Sequence, residues 1–135
     1  MAIKAQCACR NVSIELAGDP LRCFVCHCDY CQRLTGSVGS AVAIFREEDV
    51  LTATDSFELD PQMKNWPGLR KYLCPKCYSH VHWVNPKAFP GMRLVSLGCV
   101  DNPSAFKIVN TVQNQYRPEW CPQLDAANAF DRYPD

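Results

Sequence analysis

Seven of the ten cysteines in this 135-residue chain fall into three tight groups. Cys7-x-Cys9 comes first, Cys26-His27-Cys28-x-x-Cys31 second, and Cys74-Pro75-Lys76-Cys77 third. On an extended segment, Cys-x-Cys aims both sulfurs at one face, because side chains alternate with period two. Cys-Pro-x-Cys has the spacing of a tight turn that presents two thiolates to one ion. Cys7, Cys9, Cys74 and Cys77 together supply the four thiolates of a closed tetrahedral zinc site. The middle group supplies three, and a zinc on three protein ligands keeps a position for water or substrate. The count points to one structural and one catalytic zinc per chain.

Cys26 and Cys28 share a face if extended, and Cys28 and Cys31 lie one turn apart if a helix begins at Cys28. A rival arrangement closes the middle site with Cys23. Cys23 and Cys26 are three positions apart on an extended strand and point to opposite faces, so Cys23 reads as a small buried hydrophobe beside Leu21 and Val25. His27 lies between two ligands and reads as structural. His80 and His82 read as sharing a strand face, with no third metal ligand evident nearby. Cys99 and Cys121 read as ordinary buried thiols, and Glu47-Glu48-Asp49 as a solvated loop or cap.

A zinc held by three thiolates keeps a bound thiol ionised at neutral pH, polarises a carbonyl, or acidifies water. The reaction class that follows is thiol addition to an electrophile or its reverse, carbon–sulfur cleavage, with metal-assisted water chemistry as the alternative. Cys28, central in the group, is the ligand expected to leave the ion and react. Arg10, Arg22 and Arg33 flank the ligands and are candidates to bind a carboxylate-bearing substrate.

These groups need elements to hold them. Val12, Ile14 and Leu16 alternate with polar residues, giving a half-buried strand over 11–16 and a turn at 17–20. Residues 21–26 extend into the middle group. A short helix runs from Asp29 to Leu34 and stops at Gly36. Residues 38–45 read as a buried strand, and Phe57-Glu58-Leu59, Arg70–Leu73, Val81–Val84, Arg93–Val100 and Lys107–Val112 as further strands. The aromatic-rich tail from Tyr116 is expected to form a short helix around 122–130. The class is all-β, with two small sheets and minor helix, and residues 1–135 form one domain.

Composition narrows the partners. Fourteen basic and fourteen acidic residues cancel, leaving no electrostatic footprint for nucleic acid or an anionic membrane. No apolar run approaches the roughly 20 residues of a membrane span. The first residues carry no apolar signal segment, so the chain reads as cytoplasmic and soluble. In a reducing compartment, clustered cysteines favour metal over disulfides. The oligomeric state is not legible.

The pattern resembles the glutathione-dependent formaldehyde-activating enzymes, grouped with the centromere protein V domain. The matching residues are Cys7-x-Cys9, Cys26-His27-Cys28-x-x-Cys31-Gln32-Arg33-Leu34-Thr35-Gly36-Ser37, Leu73-Cys74-x-x-Cys77, Leu97-Gly98-Cys99-Val100-Asp101 and Trp120. The resemblance implies a β-tent of small antiparallel sheets with zinc knuckles, a structural zinc on Cys7, Cys9, Cys74 and Cys77, and a reaction-site zinc on Cys26, Cys28 and Cys31. It implies a carbon–sulfur lyase joining glutathione and formaldehyde as S-hydroxymethylglutathione. Arg33, Thr35, Gly36, Ser37 and Trp120 are the expected substrate contacts. A larger-metabolite tailoring enzyme on the same scaffold and a non-enzymatic zinc-binding interaction module are the alternatives. The family usually carries glycine where this chain has Arg10 and Tyr78, so altered knuckle geometry or a changed neighbouring surface is expected there.

Overall fold

The computed structural model describes residues 2–126 and 128–134. Its strands are β1 (Ala2–Gln6), β2 (Ser13–Ala17), β3 (Arg22–Cys26), β4 (Ser40–Arg46), β5 (Val50–Ala53), β6 (Phe57–Leu59), β7 (Arg70–Leu73), β8 (His80–Val84), β9 (Met92–Ser96), β10 (Asn110–Val112) and β11 (Asn128–Ala129). One α-helix, α1 (Asp29–Thr35), follows β3, and short 3-10 turns complete the regular structure. The fold is mostly β, as expected.

A three-stranded sheet has the order β1-β2-β5, and an eight-stranded sheet the order β11-β10-β3-β4-β9-β8-β7-β6. Pairing is antiparallel except at one edge, where β10 runs parallel to both β3 and β11. β2 shows the expected alternation, with Ile14 and Leu16 fully buried and Ser13 and Glu15 partly exposed. β4 is apolar from Ala41 to Phe45 because both of its faces are covered there. Ala43 and Phe45 pack into the main core with Ile14, Leu16 and Val95. Val42 joins the second core with Leu69, Trp83 and Leu94. Burying a side chain such as Phe45 contributes about 1.5–3 kcal/mol.

Several boundaries differ from the sequence reading. β9 ends at Ser96, and Leu97–Cys99 turns as a 3-10 helix instead of extending to Val100. Of 107–112, only Asn110–Val112 is strand. The tail has no helix over 122–126, and Asn128–Ala129 is a strand (Ala127 lies outside the described residues). Edge pairing overrides local propensity there: the Asn128 amide donates to the Val109 carbonyl, and the Phe130 amide to that of Thr111.

His80 and His82 do not share a face. Leu73 pairs with His80 and Tyr72 with His82, so β8 spends one extra residue against β7. Such a bulge reverses the alternation of side chains. His80 tilts against Trp83, with ring centroids 5.1 Å apart, whereas His82 stacks on Tyr72 at 4.8 Å.

Candidate functional site

The first and third cysteine groups meet. Cys7 and Cys9 leave β1, and Cys74 and Cys77 occupy the β7–β8 turn, so this site ties the small sheet to the large one. Four sulfurs about 2.3 Å from a zinc would stand about 3.8 Å apart in a tetrahedron. Cys7 Sγ lies 3.6 Å from Cys9 Sγ, and Cys9 Sγ lies 3.6 Å from Cys74 Sγ. All four lie within 4.8 Å of one another. The donor set and spacing fit a four-thiolate zinc. Ser79 braces the group: its hydroxyl accepts from the Ala8 amide at 2.9 Å and lies 3.1 Å from Cys77 Sγ. That hydroxyl and the Ser79 amide hold the Cys77 thiol down at about 5.

Arg10 and Tyr78 close the two knuckles. The Arg10 amide donates to the Cys7 carbonyl at 3.0 Å, and the Tyr78 amide to the Cys74 carbonyl at 2.9 Å. Both residues hold left-handed backbone, with φ of 67° and 60°. That conformation costs a residue with a Cβ about 1–2 kcal/mol. The tight left-handed turns are thus present without glycine, and the change falls on the surface, where Tyr78 is 73% exposed. Tyr78→Gly is expected to raise unfolding free energy by about 1 kcal/mol, with zinc content unchanged, as measured by urea denaturation.

The middle group also converges. Cys26 ends β3, Cys28 caps α1, and Cys31 lies in its first turn, with the three sulfurs within 4.8 Å of one another. Cys28 Sγ accepts the Cys31 amide at 3.2 Å, which fixes the start of the helix. Thiol donation from Cys26 and then Cys31 pulls the Cys28 pKa down to about 3, while the Cys26 thiol, donating to Cys28, rises to about 11. The spacing and the soft sulfur donors fit a zinc held by three thiolates. Cys23 is not in this group; it is buried in the main core on the other side of β3.

The elements around the trio are closely fitted. Gly39 passes so near β3 that a Cβ there would lie 2.3 Å from the Cys26 carbonyl oxygen. His27 is 1% exposed, and its Nδ1 lies 2.8 Å from the Val38 carbonyl oxygen, a structural contact. Gln32 Nε2 donates to the carbonyls of His27 and Tyr116, both at 2.8 Å, and so pins the tail segment to α1. Thr35 Oγ1 contacts the Cys31 and Gly39 carbonyls, both at 2.9 Å, and Gly36 is the left-handed cap of the helix. Arg33 pairs with Asp29 across one exposed helical turn. Trp120 is 77% exposed, which removes a core role for it.

Lys71, Tyr30 and Trp83 also belong to this neighbourhood and are not apparent from the cysteine pattern. Lys71 is 5% exposed, and its Nζ stands 4.2 Å from the Trp83 ring centroid and 5.7 Å from that of Tyr30. The one signal in the sequence is phase: in Leu69-x-Lys71-x-Leu73 the lysine keeps step with two leucines. A cavity of about 1080 Å³ elsewhere, bordered by Lys4, Arg22, Phe106 and Asn110, touches none of the middle ligands. Chemistry rather than volume locates the candidate site. Among the described residues, no helix is long and apolar enough to cross a membrane.

A search of curated protein sequences found no match. Among solved structures, a Rhodobacter sphaeroides protein matches with a TM-score of 0.52 and 18% identity, over 73% of this chain and 87% of that one. At that identity the likeness concerns the fold alone. The model of the family described as glutathione-dependent formaldehyde-activating enzyme matches residues 2–117, and with both cysteine groups inside that span the chain belongs to this family.

Proposed function

We propose that the protein is a zinc-dependent carbon–sulfur lyase acting on thiol adducts, with glutathione as the first candidate thiol and formaldehyde as its electrophile. The observation that carries this reading is the three-sulfur group of Cys26, Cys28 and Cys31, which has no fourth metal-ligating side chain among the described residues. A zinc bound there would supply Lewis acidity and favour the thiolate form of an incoming thiol. The chain's own residues do the rest. Cys28 is both ligand and helix cap, so its sulfur is held in place from two directions. Gln32 and Thr35 fix the two ends of α1, keeping Cys28 and Cys31 in register with Cys26. The exposed Arg33, Ser37 and Trp120 are the substrate contacts of this reading, Arg33 suiting a glutathione carboxylate. Thr35 and Gly36 shape the loop that presents them.

Protein purified without added metal is expected to carry two zinc ions per chain and to accelerate S-hydroxymethylglutathione formation from formaldehyde and glutathione. Acceleration is read as the rate above the uncatalysed reaction. Two bound ions with no acceleration would reject this substrate pair.

A further inference from the structure

Lys71 is a buried cation with no carboxylate partner among the described residues. Among the described residues it forms no ion pair and no hydrogen bond, although it is 5% exposed. A buried ammonium is costly unless something compensates it. Partial compensation comes from the faces of Trp83 on β8 and Tyr30 on α1. Tyr30 lies between Cys28 and Cys31 in sequence, so an Nζ 5.7 Å from its ring stands beside the helix that carries both ligands. Register agrees, since β7 pairs Lys71 with Trp83, which in turn pairs with Leu94 in the core beneath. Strand β7 therefore delivers one ammonium to the helix that carries Cys28 and Cys31, where no carboxylate among the described residues pairs with it.

We propose that Lys71 is a catalytic residue that gives a proton to the substrate oxygen when the carbon–sulfur bond forms, and takes it back when that bond breaks. This rests on the carbon–sulfur reading above. In the forward direction the thiolate sulfur of the thiol attacks the aldehyde carbon. The carbon–sulfur bond forms, the carbonyl π bond breaks, and its electron pair moves to oxygen. The Lys71 ammonium donates a proton to that alkoxide, which becomes the hydroxyl of the adduct. The neutral amine left behind regains a proton from solvent, balancing the one released when the thiol ionised. In reverse, the amine removes the hydroxyl proton, the carbonyl re-forms, and the sulfur leaves as thiolate.

The surroundings suit a group that must cycle between both forms. Burial pushes the ammonium down to about 8, opposed by its electrostatic interaction with the cysteine trio, Cys31 first. General acids and bases work best with a pKa close to the working pH. The titratable groups facing Lys71 are those three thiols from β3 and α1, Tyr30 from α1 and His80 from β8. Burial holds Tyr30 protonated, and burial and then Lys71 itself keep His80 neutral down to about pH 4. Neither competes for the role near neutrality.

The test is steady-state kinetics of wild type, Lys71→Met and Lys71→Arg with formaldehyde and glutathione, with zinc content measured on each. Methionine matches the buried stem and removes a desolvated charge, so the fold is expected to persist. Lys71→Met should lower kcat about 100-fold or more, leave KM within about threefold, and retain two zinc ions. Lys71→Arg keeps the charge but cannot release a proton at neutral pH, and should show the same loss of kcat. A Lys71→Met enzyme within threefold of wild-type kcat overturns the proposal. So does loss of the second zinc, which would make Lys71 a support for the cluster, and so does full activity of Lys71→Arg, which would reduce it to a counter-charge. If wild type itself gives no acceleration, the carbon–sulfur reading and the role of Lys71 fall together. An active wild type with an active Lys71→Met removes only the latter.

Discussion

Cys74→Ser is expected to abolish the native fold at physiological temperature. Cys74 is fully buried and is the cysteine through which the β7–β8 turn enters the four-sulfur group. Its Sγ also accepts from the Lys76 amide at 3.4 Å. A serine hydroxyl is a poor replacement for a thiolate toward zinc, and three remaining ligands at a structural site bind far more weakly than four. Structural zinc contributes about 10–16 kcal/mol of apparent binding free energy in small domains. A whole domain is stable by only about 5–15 kcal/mol. Even a loss of about 5 kcal/mol would lower the melting midpoint of a chain this size by about 15–20 °C. The effect is this large because the site lies at the junction between sheets: β1 leads into Cys7 and Cys9, and β7 leads into Cys74. The junction is otherwise held by few polar contacts, such as the Ala8 amide on Ser79 Oγ and the Asp101 amide on the Lys4 carbonyl. Thermal denaturation followed by circular dichroism, with zinc content on the same samples, checks this. A variant that melts with wild type while holding one ion fewer would show that the four-cysteine group does not hold the sheets together.

The same junction explains what could be read from the chain. Ligand grouping depends on short-range spacing, so both sulfur clusters were legible, including the pairing of Cys7 and Cys9 with a knuckle that begins 65 positions after Cys9. Period-two reasoning placed Cys23 and Cys26 on opposite sides of β3, which the two separate environments bear out. The same reasoning failed for His80 and His82, because a bulge is a property of a strand pair and neither strand announces it. The tail failed for a related reason. Gln-Leu-Asp-Ala-Ala-Asn is acceptable as helix locally, but β10 offers an open edge beside it, and pairing there satisfies backbone groups that no local pattern reveals. Lys71 is the instructive case. Its burial comes from Trp83 on one neighbour and Tyr30 on another, and lysine is rarely expected in a core. Features announced by local residue type and spacing were therefore visible in the sequence, and those created by strand pairing or packing across the fold were not.

Cys28→Ser separates chemistry from folding at the other site. Cys28 has two jobs: its sulfur belongs to the trio, and it caps α1 by accepting the Cys31 amide. Serine is among the strongest helix caps, so the substitution removes the thiolate and keeps the cap. The helix, the Gln32 clamp on Tyr116 and the Thr35 contacts should all survive. Two thiolates are too few to hold zinc in the middle site, so metal content should fall from two ions per chain to one, with the four-cysteine site still filled. Loss of the ion together with its central sulfur should lower the rate of S-hydroxymethylglutathione formation by about 1000-fold or more, equivalent to about 4 kcal/mol of transition-state stabilisation. The melting midpoint should move by only a few degrees, because none of the α1 residues is buried and little core depends on them. Activity, zinc content and melting on one preparation distinguish the possible causes. Full activity with one ion would place the chemistry outside this group of cysteines, and collapse of the fold would show that the trio is structural.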